Sequence, residues 1–372
     1  MMKWRKKNKR IPYQIMLFLA AWLILFSSIV SDAQESKVIE EGKNGIVEIY
    51  VGLTGQGTGF SKIKSVSGCL VYNQSNGVYI LTNHHNVHVT EEELKSFQEE
   101  QKLSEDEISR LTEAVRVVIK GDVLSEASIV ADSEQQDFCI LKTNDVMNEK
   151  SAFSLGNAAD VQIGDTVYIL GFSENASTDQ GVQFDSSDVI IFKGQVEKLD
   201  GQTLYHTGMI TEGNNGGALL DEDGYLIGLN NENNTDSEAA VYGALSVTEL
   251  REVLDNFGIA YKSRERNEMF ENLVQSCEEA TELLESGKYQ KKSLQALQSA
   301  VSSVQKLIEE DTVDEESIQS GIELLSQGKE ALVEKVAVVF IVQIVLGVLC
   351  AVFFVWFLKL VIWFLGEGKN LR

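Results

Sequence analysis

Three of the four histidines in this 372-residue chain, His84, His85 and His88, fall within five positions of one another. A histidine titrates near neutrality, which makes it the usual general base for a hydroxyl nucleophile and a common metal ligand. The set His84–His85–His88 offers no obvious fourth ligand, so no metal is expected there. His88 and His206 read as ordinary polar residues. Further along, Asp137-Phe-Cys-Ile-Leu-Lys142 sets one carboxylate at the head of an apolar run. Thr211-Glu-Gly-Asn-Asn-Gly-Gly217 packs three glycines into seven residues, as a tight turn requires. The four cysteines are unevenly spaced and include no CxxC pair, so they read as small buried hydrophobes. A Cys69–Cys139 bridge remains the alternative. No cofactor is expected.

The elements that must position these groups are short strands. Apolar runs recur at 45–51, 77–82, 115–119, 165–171, 189–194 and 225–230 with Gly and Asn between them, which predicts a mainly β domain over residues 38–262. Thr90 to Ala114 is rich in Glu, Lys, Leu and Gln and reads as a helix or helical hairpin inserted between strands. From Glu268 to Glu334 the period becomes helical. Leu273, Cys277, Ala280 and Leu284 form one stripe, Leu294, Leu297, Val301, Val304 and Ile308 a second, and Ile318, Ile322, Leu325 and Leu332 a third, with Thr312 as a candidate start of the last helix. Three amphipathic helices, residues 268–334, are expected to form a small bundle that acts as a stalk.

Both ends carry membrane-type signals. Residues 1–33 combine a basic head, an apolar run from Ile15 to Phe26 and small residues at Ser31 and Ala33, the pattern of a signal peptide or a retained signal anchor. Val336 to Leu358 is apolar apart from Gln343, about 34 Å as a helix, enough to cross a bilayer. Lys359, Lys369 and Arg372 follow it, so residues 359–372 are expected to be a cytoplasmic tail and the middle of the chain to lie outside the plasma membrane. That middle, residues 34–334, holds 22 Lys/Arg against 54 Asp/Glu, a net charge of −32 within a total of −24. Such a surface repels nucleic acid, which is not an expected partner.

Read in order, three stretches resemble the trypsin-like serine proteases of the chymotrypsin fold, the HtrA-like branch in particular. Ser67 to Val87, ending in Thr-Asn-His-His-Asn-Val, is similar to the strand–turn–strand that delivers the catalytic histidine, and the pattern Thr-Asn-x-His implies His85. Asp137 to Lys142 is similar to the family's Asp-Leu-Ala-Val-Leu-Lys, which implies Asp137 as the carboxylate that orients the imidazole. The stretch 211–229 resembles Gly-Asn-Ser-Gly-Gly-Pro-Leu followed by Gly-x-x-x-Gly. Gly213, Asn214, Gly216 and Gly217 match, whereas Asn215 stands at the serine and Ala218 at the proline.

The resemblance covers about 220 residues. It implies a double six-stranded β-barrel, followed by the three-helix bundle and the transmembrane helix, with the backbone N–H groups of Gly213 and Asn215 as an oxyanion hole. A carboxamide is no nucleophile, because its nitrogen lone pair is delocalised into the carbonyl. The expected protein is therefore a membrane-anchored, catalytically inactive protease homologue that holds a peptide or protein partner in its cleft. An active endopeptidase with an atypical site and a cell-surface adhesive scaffold are the alternatives. The helical segment from Leu283 onward resembles FIVAR-type modules of bacterial surface proteins, which act as spacers or adhesive units.

Overall fold

The computed structural model describes residues 38, 40–55, 58–120, 123–172, 188–211, 213–231, 241–309, 314–334 and 338–367. The amino-terminal signal segment lies outside the described residues. Contacts divide the chain into two units, Met1–Arg264 and Glu265–Arg372.

In the first unit, neighbouring apolar residues within a strand serve different cores. Ile46, Leu81 and Ile140 join one buried cluster, whereas Val47, Ile80 and Leu141 join another. Successive strand side chains point to opposite faces, so strands with both faces buried read as the near-continuous apolar runs seen in the sequence. The strands are β1 (Ile46–Gly55), β2 (Thr58–Gln74), β3 (Gly77–Thr82), β4 (Thr112–Lys120), β5 (Val123–Ser133) and β6 (Phe138–Thr143). They close into an antiparallel barrel in the order β1-β2-β3-β6-β5-β4. Val47, Ile49, Leu70, Ile80, Val117 and Leu141 fill its interior cluster.

A second barrel repeats the plan. After the two-residue β7 (Ser154–Leu155), its strands are β8 (Thr166–Phe172), β9 (Val189–Asp200), β10 (Thr203–His206), β11 (Ala218–Leu220), β12 (Leu226–Asn231) and β13 (Tyr242–Ser246). Pairing of β11 with both β8 and β12 closes the ring, while β7 and the short β14 (Lys262–Ser263) extend it at one edge. Val167, Ile169, Leu204, Leu219 and Ile227 share its interior cluster. The alternate residues Leu170, Leu220 and Leu229 join Ile46, Cys69 and Ile140 of the first barrel in one cluster, which binds the two barrels together. The architecture is the chymotrypsin-like pair of six-stranded barrels.

Helices are added to the barrels of this unit. The insertion is a hairpin of helices Glu91–Gln101 and Glu105–Ile108, each opened by a capping box, Thr90 with Glu93 and Ser104 with Glu107. It ends earlier than the composition predicts, because Thr112–Ala114 already belong to β4 and pair with β1. Helix Val247–Asn256, capped by the Ser246 hydroxyl, buries Val247, Leu250 and Leu254 in the cluster between the barrels. Cys69 and Cys139 are buried free thiols, which removes the bridge that the sequence left open.

In the second unit, helices Leu294–Ile308 and Glu315–Glu330 pack with the long helix Arg264–Glu285, most of which lies in this unit. They join through Leu273, Cys277, Leu297, Val301, Val304, Ile318 and Leu325, all buried members of the expected stripes. The third helix begins at Asp314, whose carboxylate accepts the Ser317 N–H at 2.7 Å, rather than at Thr312, which lies outside the described residues. A 30-residue helix, Val338–Glu367, follows. Its side chains are described from 345 to 359, and among the described residues no helix is long and apolar enough to cross a membrane.

Candidate active site

The turn after β3 places the histidines. Asn83 is extended, at φ −80° and ψ 155°, and opens a single helical turn, His84–Val87. Lys64 on β2 holds that turn from below, donating to the backbone carbonyls of His85 at 3.1 Å and His88 at 2.6 Å while pairing with Glu93 at 3.1 Å. The His85 ring is left 43% exposed, open to a ligand.

Asp137 comes from the turn entering β6. It sits at φ 54°, in a left-handed conformation that costs a non-glycine residue about 1–2 kcal/mol. The turn is fixed by Asn83 Nδ2, which donates to the Asp137 carbonyl at 3.1 Å. The carboxylate then meets His85 twice. Nδ1 lies 2.9 Å from both Oδ1 and Oδ2, and the His85 backbone N–H donates to Oδ1 at 3.1 Å. Asn231 at the end of β12 donates to Oδ2 at 2.6 Å. Burial pushes the Asp137 carboxyl up, but the hydrogen bonds and charge of His85 outweigh it and hold the group below the ordinary carboxylate range. Among the described residues, Asp137 is the only hydrogen-bond partner of the His85 ring, and no hydroxyl lies within reach of that ring.

Asn215 lies in the turn that leads into β11. Gly213 at φ 92° and Gly216 at φ 76° take conformations that favour glycine. At Gly216 a Cβ would lie 2.2 Å from Thr82 Oγ1 and 2.5 Å from Ser67 O, so only glycine fits. The first barrel grips this turn. Ser67 Oγ donates to Gly213 O at 2.6 Å, and the Ser67 N–H donates to Asn215 O at 3.3 Å. Asn86, next to His85, donates to the same Asn215 carbonyl at 2.9 Å, tying the histidine-bearing turn to the Asn215 turn. Thr211, the nearest hydroxyl in sequence, is half-buried, and its Oγ1 is shielded from solvent with no hydrogen-bond partner among the described residues.

Three groups of this site were not found from sequence: Asn231, Ser67 and Asn86. Asn231 ends β12, Asn86 lies in the His84–Val87 turn and Ser67 sits midway along β2, and none of them has a spacing signal of its own. The other histidines separate. His206 is not an ordinary surface polar residue: it is fully buried on the Leu204 face of β10 and stacks on Tyr242 with ring centroids 6.3 Å apart. Burial lowers its pKa to about 4. His84 and His88 turn away from His85 towards Asp132 on β5, at 2.7 and 2.8 Å.

Two interlocked barrels with a histidine–carboxylate pair and a glycine-rich turn at their junction make up a chymotrypsin-like fold. Residues 66–229 match the family model of the trypsin-like peptidase domain, a stretch that includes His85, Asp137 and Asn215. No curated protein matches this chain. Among solved structures, the crystal structure of the serine endoprotease from Yersinia pestis aligns at 19% identity with a TM-score of 0.42, covering 60% of this chain. This chain spans 65% of that endoprotease's length.

Proposed function

We propose that this chain is a catalytically inactive homologue of the trypsin-like proteases, in which Asn215 occupies the nucleophile position and the cleft binds an extended peptide or a protein segment. The carrying observation is the pairing of an ordered His85–Asp137 dyad with a turn whose central side chain is a carboxamide. His85 acts as a hydrogen-bonding group, Asp137 orients it, and the backbone N–H groups of Gly213 and Asn215 receive a carbonyl or carboxylate of the ligand. Strand addition to a barrel edge is the natural mode of peptide capture. The membrane reading belongs to the same proposal. The apolar run from Val336 to Leu358 anchors the chain in the plasma membrane, the protease-like domain lies on the extracytoplasmic side, and the helices of 268–334 serve as a FIVAR-like spacer.

The test is hydrolysis of a generic protein substrate by the full chain in detergent micelles, beside His85→Ala. Equal, background-level release of peptides from both supports the proposal. Release by the native chain that disappears in His85→Ala overturns it. The intact dyad is the one observation favouring the second reading, a serine-type endopeptidase with an atypical nucleophile, and the same experiment decides between the two.

A further inference from the structure

Beside the dyad, a second cluster brings together two imidazoles and a carboxylate. His84 Nδ1 lies 2.7 Å from Asp132 Oδ1, and His88 Nε2 lies 2.8 Å from Asp132 Oδ2. The two rings are 4.4 Å apart between centroids, and the three ligand-type atoms all lie within 4.8 Å of one another. We propose that His84, His88 and Asp132 bind a divalent transition-metal ion of the zinc class, with the fourth position left to water.

The donor set suits that class. Two imidazole nitrogens and one carboxylate oxygen are the ligands of open three-residue zinc sites, with bonds of about 2.0–2.1 Å. Tetrahedral bonds of that length set the ligand atoms about 3.3 Å apart. The present contacts are shorter, because each ring N–H now hydrogen-bonds to the carboxylate. An ion entering between them requires an opening of about half an ångström. The side chains are reachable from solvent, being 22%, 39% and 26% exposed for His84, His88 and Asp132.

A separate feature points the same way. The far nitrogen of His88, Nδ1, faces Glu113 Oε2 at 3.6 Å, so the ring is lined up between two carboxylates. Ligand histidines are characteristically backed by an outer carboxylate hydrogen-bonded to the second nitrogen, which fixes the tautomer and raises the basicity of the coordinating nitrogen. Glu113 stands just beyond that distance and would reach it with a closure of about half an ångström. The backbone is also fixed, since Lys64 binds the carbonyls of His85 and His88. An ion here would fasten the helical turn carrying His85 to β5, five residues before Asp137. It would thus brace both members of the dyad without touching either, and the inference holds whether or not the cleft cuts peptides.

The test uses the full chain in detergent micelles, stripped with chelator and titrated with Co2+ as a visible probe and with Zn2+. The expected result is one Co2+ per chain with the intense absorption of a tetrahedral site, displaced by one Zn2+. That absorption should be absent in His84→Gln/His88→Gln and in Asp132→Asn. Glu113→Gln should bind about 10–100-fold more weakly. Zn2+ should also slow diethylpyrocarbonate modification of His84 and His88 in the native chain, a readout that needs no variant to fold. Absence of a tetrahedral band together with unprotected histidines would overturn the proposal. So would Co2+ binding that persists unchanged in the folded double variant.

Discussion

The first and second barrels contribute unequally to the site. The first supplies His85 on a one-turn helix and Asp137 on a left-handed turn, and the two side chains hydrogen-bond to each other. The second supplies the turn 213–217, whose backbone is held by Ser67 and Asn86 and whose Gly213 and Gly216 take positive φ, yet whose central side chain lacks a nucleophile. That turn is gripped through its backbone, since the hydrogen bonds from Ser67 and Asn86 fall on the carbonyls of Gly213 and Asn215. On the proposed reading, a serine at residue 215 would offer Ser67 and Asn86 the same main-chain carbonyl, so that chemistry and architecture separate at this position.

The comparison is broken most severely at Gly216. An alanine there meets Thr82 Oγ1 and Ser67 O and must hold φ 76°, so Gly216→Ala should cost about 3–5 kcal/mol from clash and strain combined, read as a fall in the denaturant midpoint. A loss under about 1 kcal/mol would mean that the turn is not gripped as described.

Next comes His206, which contrasts with the solvent-reachable histidines of the first barrel. Its folded pKa of about 4 lies below the ordinary value of 6.5. Below pH 6.5 the unfolded chain takes up a proton that the folded chain refuses, so stability falls as pH drops and levels off near pH 4. The expected loss is about 3 kcal/mol across that window. His206→Met should remove this part of the pH dependence, as measured by denaturation at pH 7 and pH 4.5.

The smallest effect sharpens the link between barrels. Asn231→Ala removes the donor from β12 to the Asp137 carboxylate. A hydrogen bond to a charged group contributes about 1.5–3 kcal/mol when buried. With Asn231 only half-buried, the loss should be about 1–2 kcal/mol by chemical denaturation.

Much of the double barrel was legible because its long strands announce themselves. Residues 77–82 are β3 itself, and 165–171 and 189–194 fall almost wholly within β8 and β9. The short strands were not, since Thr203–His206 and Ala218–Leu220 are too brief to carry a period, and Val247–Asn256 hides its helix behind a strand-like start. The family pattern pointed to His85 and Asp137, and these two side chains do meet at 2.9 Å. Asp132 was not, because its placement depends on a register shift between Ile129 and Ala131 opposite β6. A one-residue shift in a strand exchanges the faces of every following side chain, and no local pattern in the sequence reveals that.

The separation of chemistry from architecture is tested most directly by fluorophosphonate labelling of the full chain, its Asn215→Ser variant and Asn215→Ser/His85→Ala. Removing a triad serine costs about 10⁶ in kcat in a working protease, so restoring one to an intact site should raise labelling by orders of magnitude. The account predicts no labelling of the native chain, labelling at residue 215 in Asn215→Ser, and its loss when His85 is also removed. An Asn215→Ser variant that folds but stays unlabelled, or a native chain that labels through His85, would contradict it.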